Sequence, residues 1–303
     1  MTQPKPFIDF LITQNCNYRC EYCSQSKANS TLEDASNEVI DGFLAALERL
    51  PRDFEVTISG GEPLLHKRFF EVIEKIKHMG FFTCIVSNFS SPLDKYEKIV
   101  NILGDKLSFL MLSYHDVSVK NIDDYIDKVL NLKKIIHPST KMRICAPLWG
   151  DNLGKLRRLK DKLTPFGIEF EAQHIRIRNE FIKYNAQEYK FLDENNGAPN
   201  KNFTSFGRIC HAGVKSAVIY QDGNIYRCYS SRLVKSHYLG NVKDGKIDFY
   251  KSPRPCPLLK CTCPKPFNYN MICHDTNYTR AAFELVLNFL YLPAKLIKKT
   301  LRL

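Results

Sequence analysis

The strongest constraint on the fold is an alternation of short apolar runs with amphipathic segments between residues 7 and 173. The apolar runs predict six strands, at residues 7–13, 55–59, 82–87, 107–113, 142–146 and 168–173. Five segments between them have apolar residues at helical spacing, around 39–47 and at 67–78, 93–103, 121–135 and 152–163. This order predicts parallel βαβ units with right-handed crossovers, and therefore an α/β fold.

Three cysteines directly follow the first predicted strand. Cys16, Cys20 and Cys23 have a Cys-x3-Cys-x2-Cys spacing, and the aromatic Tyr22 precedes the third thiol. Structural zinc sites and ordinary iron–sulfur clusters use four protein ligands. Three thiolates on one loop therefore indicate a cluster in which one iron is left open for a ligand from outside the protein.

A second motif, Gly60-Gly61-Glu62-Pro63, follows the second predicted strand. Glycines let a backbone approach a ligand closely, and a carboxylate is a natural partner for an ammonium group. Together the two motifs resemble the radical S-adenosylmethionine (radical SAM) superfamily. The resemblance implies a [4Fe–4S] cluster on the three cysteines, S-adenosylmethionine (AdoMet) at its open iron, and the glycines and Glu62 at the AdoMet ammonium. The alternative is a zinc knuckle followed by an unrelated turn.

The resemblance also implies a fold and further AdoMet contacts. The six units match the partial (β/α)6 TIM-like barrel of this superfamily, here expected at residues 7–173, and both motifs fall at carboxyl ends of strands. The further contacts expected by resemblance come from the cysteine loop and from strands three to five: Tyr22, Ser87, Asn88, Ser113 and Arg143.

Two residues are candidates for catalysis. His115, on the same side of the fourth strand as Ser113, is suited to carry a proton near the substrate because its unperturbed pKa lies near neutrality. A hydrogen-bonded structural histidine is the alternative. Cys145, which shares a face with Arg143, is a candidate for radical quenching or substrate contact. Buried thiols such as Cys145 and Cys84 also commonly serve only to pack a core.

A second group of cysteines begins at Cys210, after a polar connection at residues 174–209. Alternating apolar residues around Asp222-Gly223 predict a hairpin that ends at Cys228. Residues 210–275 resemble the auxiliary-cluster module of radical SAM enzymes, called SPASM or, in its short form, twitch. The resemblance implies one auxiliary [4Fe–4S] cluster, held by Cys210 and Cys228 with two of Cys256, Cys261 and Cys263. The downstream Cys-x4-Cys-x-Cys spacing departs from the full SPASM pattern and puts a second auxiliary cluster in doubt; a zinc ribbon is the alternative to the first.

Charge and the chain ends limit the partners. The net charge of +12 suits an anionic membrane or a phosphorylated substrate, but no uninterrupted basic run marks a nucleic-acid site. The N-terminus has no secretion signal, so we expect a cytoplasmic protein whose clustered thiols bind metal. Residues 280–303 form a basic amphipathic tail. This tail either contacts a membrane peripherally, or forms a helix that closes the barrel or an oligomer contact.

The sequence as a whole predicts a radical SAM enzyme that abstracts hydrogen from a substrate C–H bond and receives electrons from a donor such as flavodoxin or ferredoxin. The short auxiliary module and the lack of an N-terminal peptide-recognition domain favour a small polar substrate: a sugar, a cyclitol or a nucleotide-linked sugar. One alternative is modification of a ribosomal peptide. A non-enzymatic alternative, an iron–sulfur or zinc scaffold or electron carrier, explains the cysteines but not Gly60–Pro63.

Overall fold

The computed structural model of the 303-residue chain describes residues 5–23, 33–177, 180–195, 204–233, 237–259, 261, 271–279 and 281–282. Its first six strands are β1 (Phe7–Thr13), β2 (Glu55–Gly60), β3 (Phe82–Ser87), β4 (Leu107–Ser113), β5 (Lys141–Pro147) and β6 (Glu169–Gln173). The helices between them are α1 (Asn37–Glu48), α2 (Phe69–His78), α3 (Leu93–Leu103), α4 (Ile122–Ile135) and α5 (Leu153–Leu163). Each strand pairs in parallel with the next. The predicted α/β class is confirmed.

The sheet has one apolar face and one more polar face. Alternate strand residues such as Ile8, Ile58 and Ile144 are buried in the main core together with Phe43 of α1 and Val129 of α4. These residues explain why the helices form, because each helix has an apolar stripe that must be covered. The residues between them in the strands point to the opposite face, which carries the polar side chains of β5 and β6.

The rest of the chain adds strands to one edge of this sheet. After the short β7 (Arg176–Ile177) and β8 (Glu180–Phe181) come α6 (Ala186–Asn195), β9 (Arg208–Cys210), β10 (Ser216–Ile219), β11 (Asn224–Tyr226), α7 (Tyr229–Leu233), β12 (Tyr238–Asn241), β13 (Arg254–Pro255) and β14 (Ile272–Thr276). β10 pairs in parallel with β1, and the sheet order is β12-β11-β10-β1-β2-β3-β4-β5-β6. β9 lies between β13 and β14 in a separate three-stranded sheet.

The predicted hairpin therefore exists as β10 and β11, but it extends the main sheet. Ala217, Val218 and Ile219 are buried because they are covered on both faces, which suits a strand inside a sheet. Within the described residues, β6 pairs only with β5, so this sheet is open, as in a partial barrel. The proposed division of the chain into domains stays a prediction.

The part of the chain that the structure describes contains no helix long and apolar enough to cross a membrane. The predicted basic tail, apart from residues 281–282, lies outside the described residues.

Candidate functional site

The two sequence motifs are joined by their backbones. The amide of Gly61 donates to the carbonyl of Thr13 at 2.8 Å, and the amide of Glu62 donates to the carbonyl of Asn15 at 2.8 Å. A Cβ atom at Gly60 would lie 2.3 Å from the Thr13 oxygen, and one at Gly61 would lie 2.3 Å from the Asn15 oxygen. Both glycines are needed for this close approach of the two backbones. The sequence predicted contact with a ligand at these glycines, but not this packing of one backbone against another.

Asp34 fixes the start of the cysteine loop. The Thr13 hydroxyl donates to Oδ1 of Asp34, and the Asn15 side-chain amide donates to the same oxygen at 2.9 Å. The Asn15 backbone amide in turn donates to the Thr13 hydroxyl at 2.8 Å. Sequence reasoning missed Asp34, which follows the cysteine loop but belongs to neither motif.

Glu62 has a fully buried carboxylate at the end of β2. It accepts hydrogen bonds from the Ser87 hydroxyl at 2.9 and 3.1 Å, from the Asn88 amide at 2.7 Å and from the Leu64 amide at 3.2 Å. Burial raises the pKa of Glu62 to about 7, although these hydrogen bonds oppose the shift. Pro63 begins the one-turn helix that Glu62 caps. The structure thus brings Glu62, Ser87 and Asn88 together; their contact with AdoMet stays a prediction.

The loop after β3 is hydrogen-bonded to the cysteine loop. The Asn88 side-chain amide lies 3.6 Å from Sγ of Cys16 and donates to Oδ1 of Asn17 at 2.9 Å. Asn17 donates to the Ser90 hydroxyl at 2.9 Å. Asn88 therefore links Glu62 with the first predicted cluster ligand. Asn17 and Ser90 were not among the predicted residues, although Asn17 lies inside the cysteine motif.

His115 meets the cysteine loop from the end of β4. Its Nδ1 lies 3.6 Å from Sγ of Cys20 and 3.0 Å from the Tyr22 hydroxyl. Burial lowers the pKa of His115 to about 4, so the ring is neutral at pH 7 and can accept the Tyr22 proton in a hydrogen bond. The Tyr22 ring also lies 5.4 Å, centroid to centroid, from that of Trp149, the one tryptophan of the sequence. These contacts agree with a hydrogen-bonded histidine, and a role in proton transfer stays a prediction.

The three loop thiols have the chemistry expected of cluster ligands. Burial raises the pKa of Cys16 and that of Cys20 above the ordinary value, so a bound metal would be needed to hold them as thiolates near neutral pH. Within the described residues, no group of three or more Cys, His, Asp or Glu side chains is arranged to hold a metal ion. The fit to a [4Fe–4S] cluster therefore rests on the donor set and on the anchored loop.

The structure does not place Arg143 at this site. Its guanidinium lies 2.5 Å from the Glu169 carboxylate and 2.8 Å from that of Glu171. Arg143 precedes the last residue of β5, Pro147, by four positions, which puts it roughly 13 Å below the edge that carries the cysteine loop. Two carboxylates on β6 thus already pair with this cation, and the predicted contact of Arg143 with the AdoMet carboxylate stays a prediction.

Cys145 and Ser113 lie opposite each other on β5 and β4. Cys145 is fully buried, and burial raises its pKa well above the ordinary value, so the thiol is neutral. Ser113, the last residue of β4, is half-buried. Cys84 is buried in β3, as core packing would require. Roles for Cys145 in catalysis and for Ser113 at AdoMet stay predictions.

The second group of cysteines converges on a narrow cavity of about 20 Å³. Cys210 ends β9, Cys228 follows β11, Cys256 follows β13, and all three line this cavity together with Cys261. Burial raises the pKa of Cys210 to about 11 and also raises that of Cys256. Four thiols are a sufficient donor set for a cluster or for zinc. Cys263 lies outside the described residues.

Sequence comparison agrees with the predicted family. Residues 10–147 match the Radical SAM superfamily. They form a radical SAM domain. This match contains the cysteine loop, Gly60–Pro63, Ser87, Asn88 and His115, so the predicted superfamily, whose members use a [4Fe–4S] cluster and AdoMet, is confirmed for this part of the chain.

Curated relatives match only part of this chain. The putative protein YfkA of Bacillus subtilis is 35% identical over 103 residues, which are 32% of this chain and 27% of that protein. An S-adenosylmethionine-dependent nucleotide dehydratase of Lacinutrix mariniflava is 33% identical over 103 residues, which are 31% of this chain and 20% of that protein. A probable GTP 3',8-cyclase of Methanothermobacter thermautotrophicus is 27% identical over 130 residues, 42% of each chain. The first two matches span less than a third of those relatives.

Solved structures share the fold over more of the chain. Streptococcus suis SuiB bound to S-adenosylmethionine superposes with a TM-score of 0.57 and 18% identity, over 80% of this chain and 64% of that one. The anSMEcpe structure with bound AdoMet and Kp18Cys peptide gives a TM-score of 0.52 and 15% identity, over 94% of this chain and 84% of that one. At such identities the likeness concerns the fold alone.

Proposed function

We propose that this chain is a radical SAM enzyme in which Cys16, Cys20 and Cys23 hold a [4Fe–4S] cluster whose open iron binds AdoMet. The observation that carries the proposal is the joining of the cysteine loop to Gly60–Glu62 and to Asn88 at one edge of a radical SAM domain. When bound, the cluster and AdoMet would supply a 5′-deoxyadenosyl radical that abstracts hydrogen from a C–H bond.

The protein's own residues would orient AdoMet and keep water out. Glu62 would meet the AdoMet ammonium, and an ammonium beside the buried carboxylate would favour its charged form. Ser87 and Asn88 hold that carboxylate in one orientation. The Tyr22 ring packs against the rings of His115 and Trp149 next to the cysteine loop. Neutral His115 is able to accept a proton at this position.

The second group of cysteines is proposed to bind one auxiliary [4Fe–4S] cluster through Cys210, Cys228, Cys256 and Cys261. The shared cavity supports this ligand set. This centre would accept an electron from the substrate or anchor the substrate. A zinc ribbon would use the same four thiols, and metal analysis distinguishes the two.

The proposed substrate is a small polar metabolite, such as a sugar, a cyclitol or a nucleotide-linked sugar, oxidised at a carbinol carbon. Two of the similar proteins are named for nucleotide chemistry, a nucleotide dehydratase and a GTP cyclase. The charged side chains of Arg143, Glu169 and Glu171 make one face of β5 and β6 polar. The alternative, a ribosomal peptide, makes the same demands on the AdoMet site.

The test is anaerobic reconstitution with iron and sulfide, followed by AdoMet and dithionite. We expect 5′-deoxyadenosine and methionine, and we expect a flavodoxin or ferredoxin to replace dithionite. Substrate candidates labelled with deuterium at carbinol carbons should then transfer deuterium to 5′-deoxyadenosine. Transfer only from a labelled peptide would select the alternative substrate, and the absence of 5′-deoxyadenosine under all conditions would refute the proposal.

A further inference from the structure

Arg227 is a buried cation beside the second group of cysteines. Its residue is 2% exposed, and it lines the cavity that Cys210, Cys228 and Cys256 also line. The guanidinium donates to the carbonyls of Pro255 at 3.4 Å and Arg254 at 3.5 Å, both long for hydrogen bonds. Among the described residues, no Asp or Glu forms an ion pair with it.

The other groups around the cavity do not supply the missing negative charge. His237 lines the cavity, and burial and the nearby Arg227 and Arg254 lower its pKa to about 3, which leaves the ring neutral. Arg254, a second cation, stacks on the Tyr250 ring at 3.8 Å. A fully buried charge is strongly unfavourable unless an opposite charge or many hydrogen bonds compensate for it.

The thiols are the acidic groups that face Arg227. As thiolates they would act against the effect of burial on the guanidinium, and Cys210 and Cys228 would contribute most. As neutral thiols they compensate for nothing. A four-iron cluster with four thiolate ligands would carry a net charge of about −2 when oxidised and about −3 when reduced by one electron.

We propose that Arg227 is the built-in counter-charge of the auxiliary centre, a positioning residue that stabilises its thiolates and raises its reduction potential. This inference rests on the auxiliary cluster of the proposed function. Reduction of that centre adds one electron and no proton, so it increases the negative charge beside a fixed cation in a low-dielectric environment. The positive charge therefore favours the reduced form. A centre with this property is suited to accept an electron from the substrate.

The test is a potentiometric titration with dithionite, monitored by electron paramagnetic resonance. It is carried out on the full-length chain and on the full-length variant in which Cys16, Cys20 and Cys23 are all replaced by alanine. We expect Arg227→Gln to lower the midpoint potential by at least about 59 mV, a tenfold change in a one-electron equilibrium. Arg227→Lys keeps the charge and should recover most of this shift. Arg208→Gln is the matched control, because Arg208 lines the same cavity but is more exposed and should change the potential little.

The outcomes separate this inference from the proposed function. Zinc in place of iron in the triple-cysteine background would reject the auxiliary cluster, and the role of Arg227 with it. An iron centre with an unchanged potential in Arg227→Gln would reject the counter-charge alone. If Arg227→Gln fails to hold iron, retention of iron by Arg227→Lys supports the inference. Loss of iron from both variants would instead show that the hydrogen bonds to β13, and not the charge, are what matter.

Discussion

At the residue scale, the glycines of Gly60-Gly61-Glu62-Pro63 have a structural task before any ligand binds. They let β2 pass so close to Thr13 and Asn15 that a side chain has no room. Two backbone hydrogen bonds then hold the base of the cysteine loop. A substitution here should therefore disturb the cluster site through the backbone, even if the new side chain touches no ligand.

We expect Gly61→Ala to destabilise the fold by about 1–3 kcal/mol, the usual cost of forcing extra atoms into a packed site. Iron bound by the core cysteines should fall with it. Gly154→Ala in α5 is the control, because a Cβ at Gly154 meets nothing within 4 Å and alanine favours a helix. Urea unfolding and iron analysis measure both effects. Wild-type stability and iron content in Gly61→Ala would contradict the packing argument.

Glu62 provides a second prediction at this scale. Glu62→Gln removes the proposed partner of the AdoMet ammonium and keeps the three cysteines. A charge-assisted hydrogen bond contributes about 1.5–3 kcal/mol, so AdoMet affinity should fall roughly ten- to a hundredfold while iron content stays near that of the wild type. Calorimetric titration of the reconstituted protein measures this affinity. Unchanged affinity would remove Glu62 from the AdoMet site.

The same variant should change how stability depends on pH in the absence of AdoMet. The pKa of Glu62 is raised from 4.5 to about 7 in the folded protein, so between these values the folded state binds more protons than the unfolded state. Its contribution to stability is therefore lost as pH rises through this window, by about 3 kcal/mol in total. Glu62→Gln should have a flatter profile than the exposed control Glu74→Gln between pH 5 and 8. Parallel profiles for the two variants would show that burial does not raise the pKa of Glu62.

At the scale of elements, the six strands and five helices could be predicted because each element carries its own apolar pattern. The site was predictable only where its residues lie inside a motif or directly after a strand, as Cys16, Glu62, Asn88 and His115 do. Contacts between distant segments left no local signal. Asp34, which precedes α1, bonds back to the start of the cysteine loop, and Arg143 forms ion pairs with carboxylates on the next strand.

The pairing of β10 with β1 is the largest feature that the pattern did not reveal. Leu11 packs with Val218 and Tyr220, and Phe7 packs with Cys210 and Met271. These contacts cover β1, the strand that leads into the cysteine loop. The radical SAM domain is therefore expected to depend on residues well beyond its own carboxyl end.

A chain that ends at Gln173 should consequently aggregate or fail to hold the core cluster, because β1 would become an exposed apolar edge. A chain that ends at Ala282 is the control, which should keep both centres if the predicted tail only contacts a membrane. Size-exclusion chromatography and iron analysis compare them. A monomeric short chain with about four irons would contradict the dependence on β10; aggregation of the control would show that the tail belongs to the fold.

At the scale of the whole molecule, one continuous sheet connects two thiol centres. β1 carries the core cysteine loop at its carboxyl end, and its neighbours β10 and β11 lead to Cys228 at the second centre. A shared sheet would keep the two centres at a fixed separation, as the transfer of an electron from substrate to auxiliary centre requires. This arrangement depends first on the core cluster being present and active.

The most direct measurement compares the reconstituted wild-type chain with the variant in which Cys16, Cys20 and Cys23 are all replaced by alanine. Iron content and 5′-deoxyadenosine formation with AdoMet and dithionite are determined for both under anaerobic conditions. We predict that the variant loses about four irons, keeps the iron of the second centre and forms no 5′-deoxyadenosine. Undiminished 5′-deoxyadenosine formation by the variant would contradict the account.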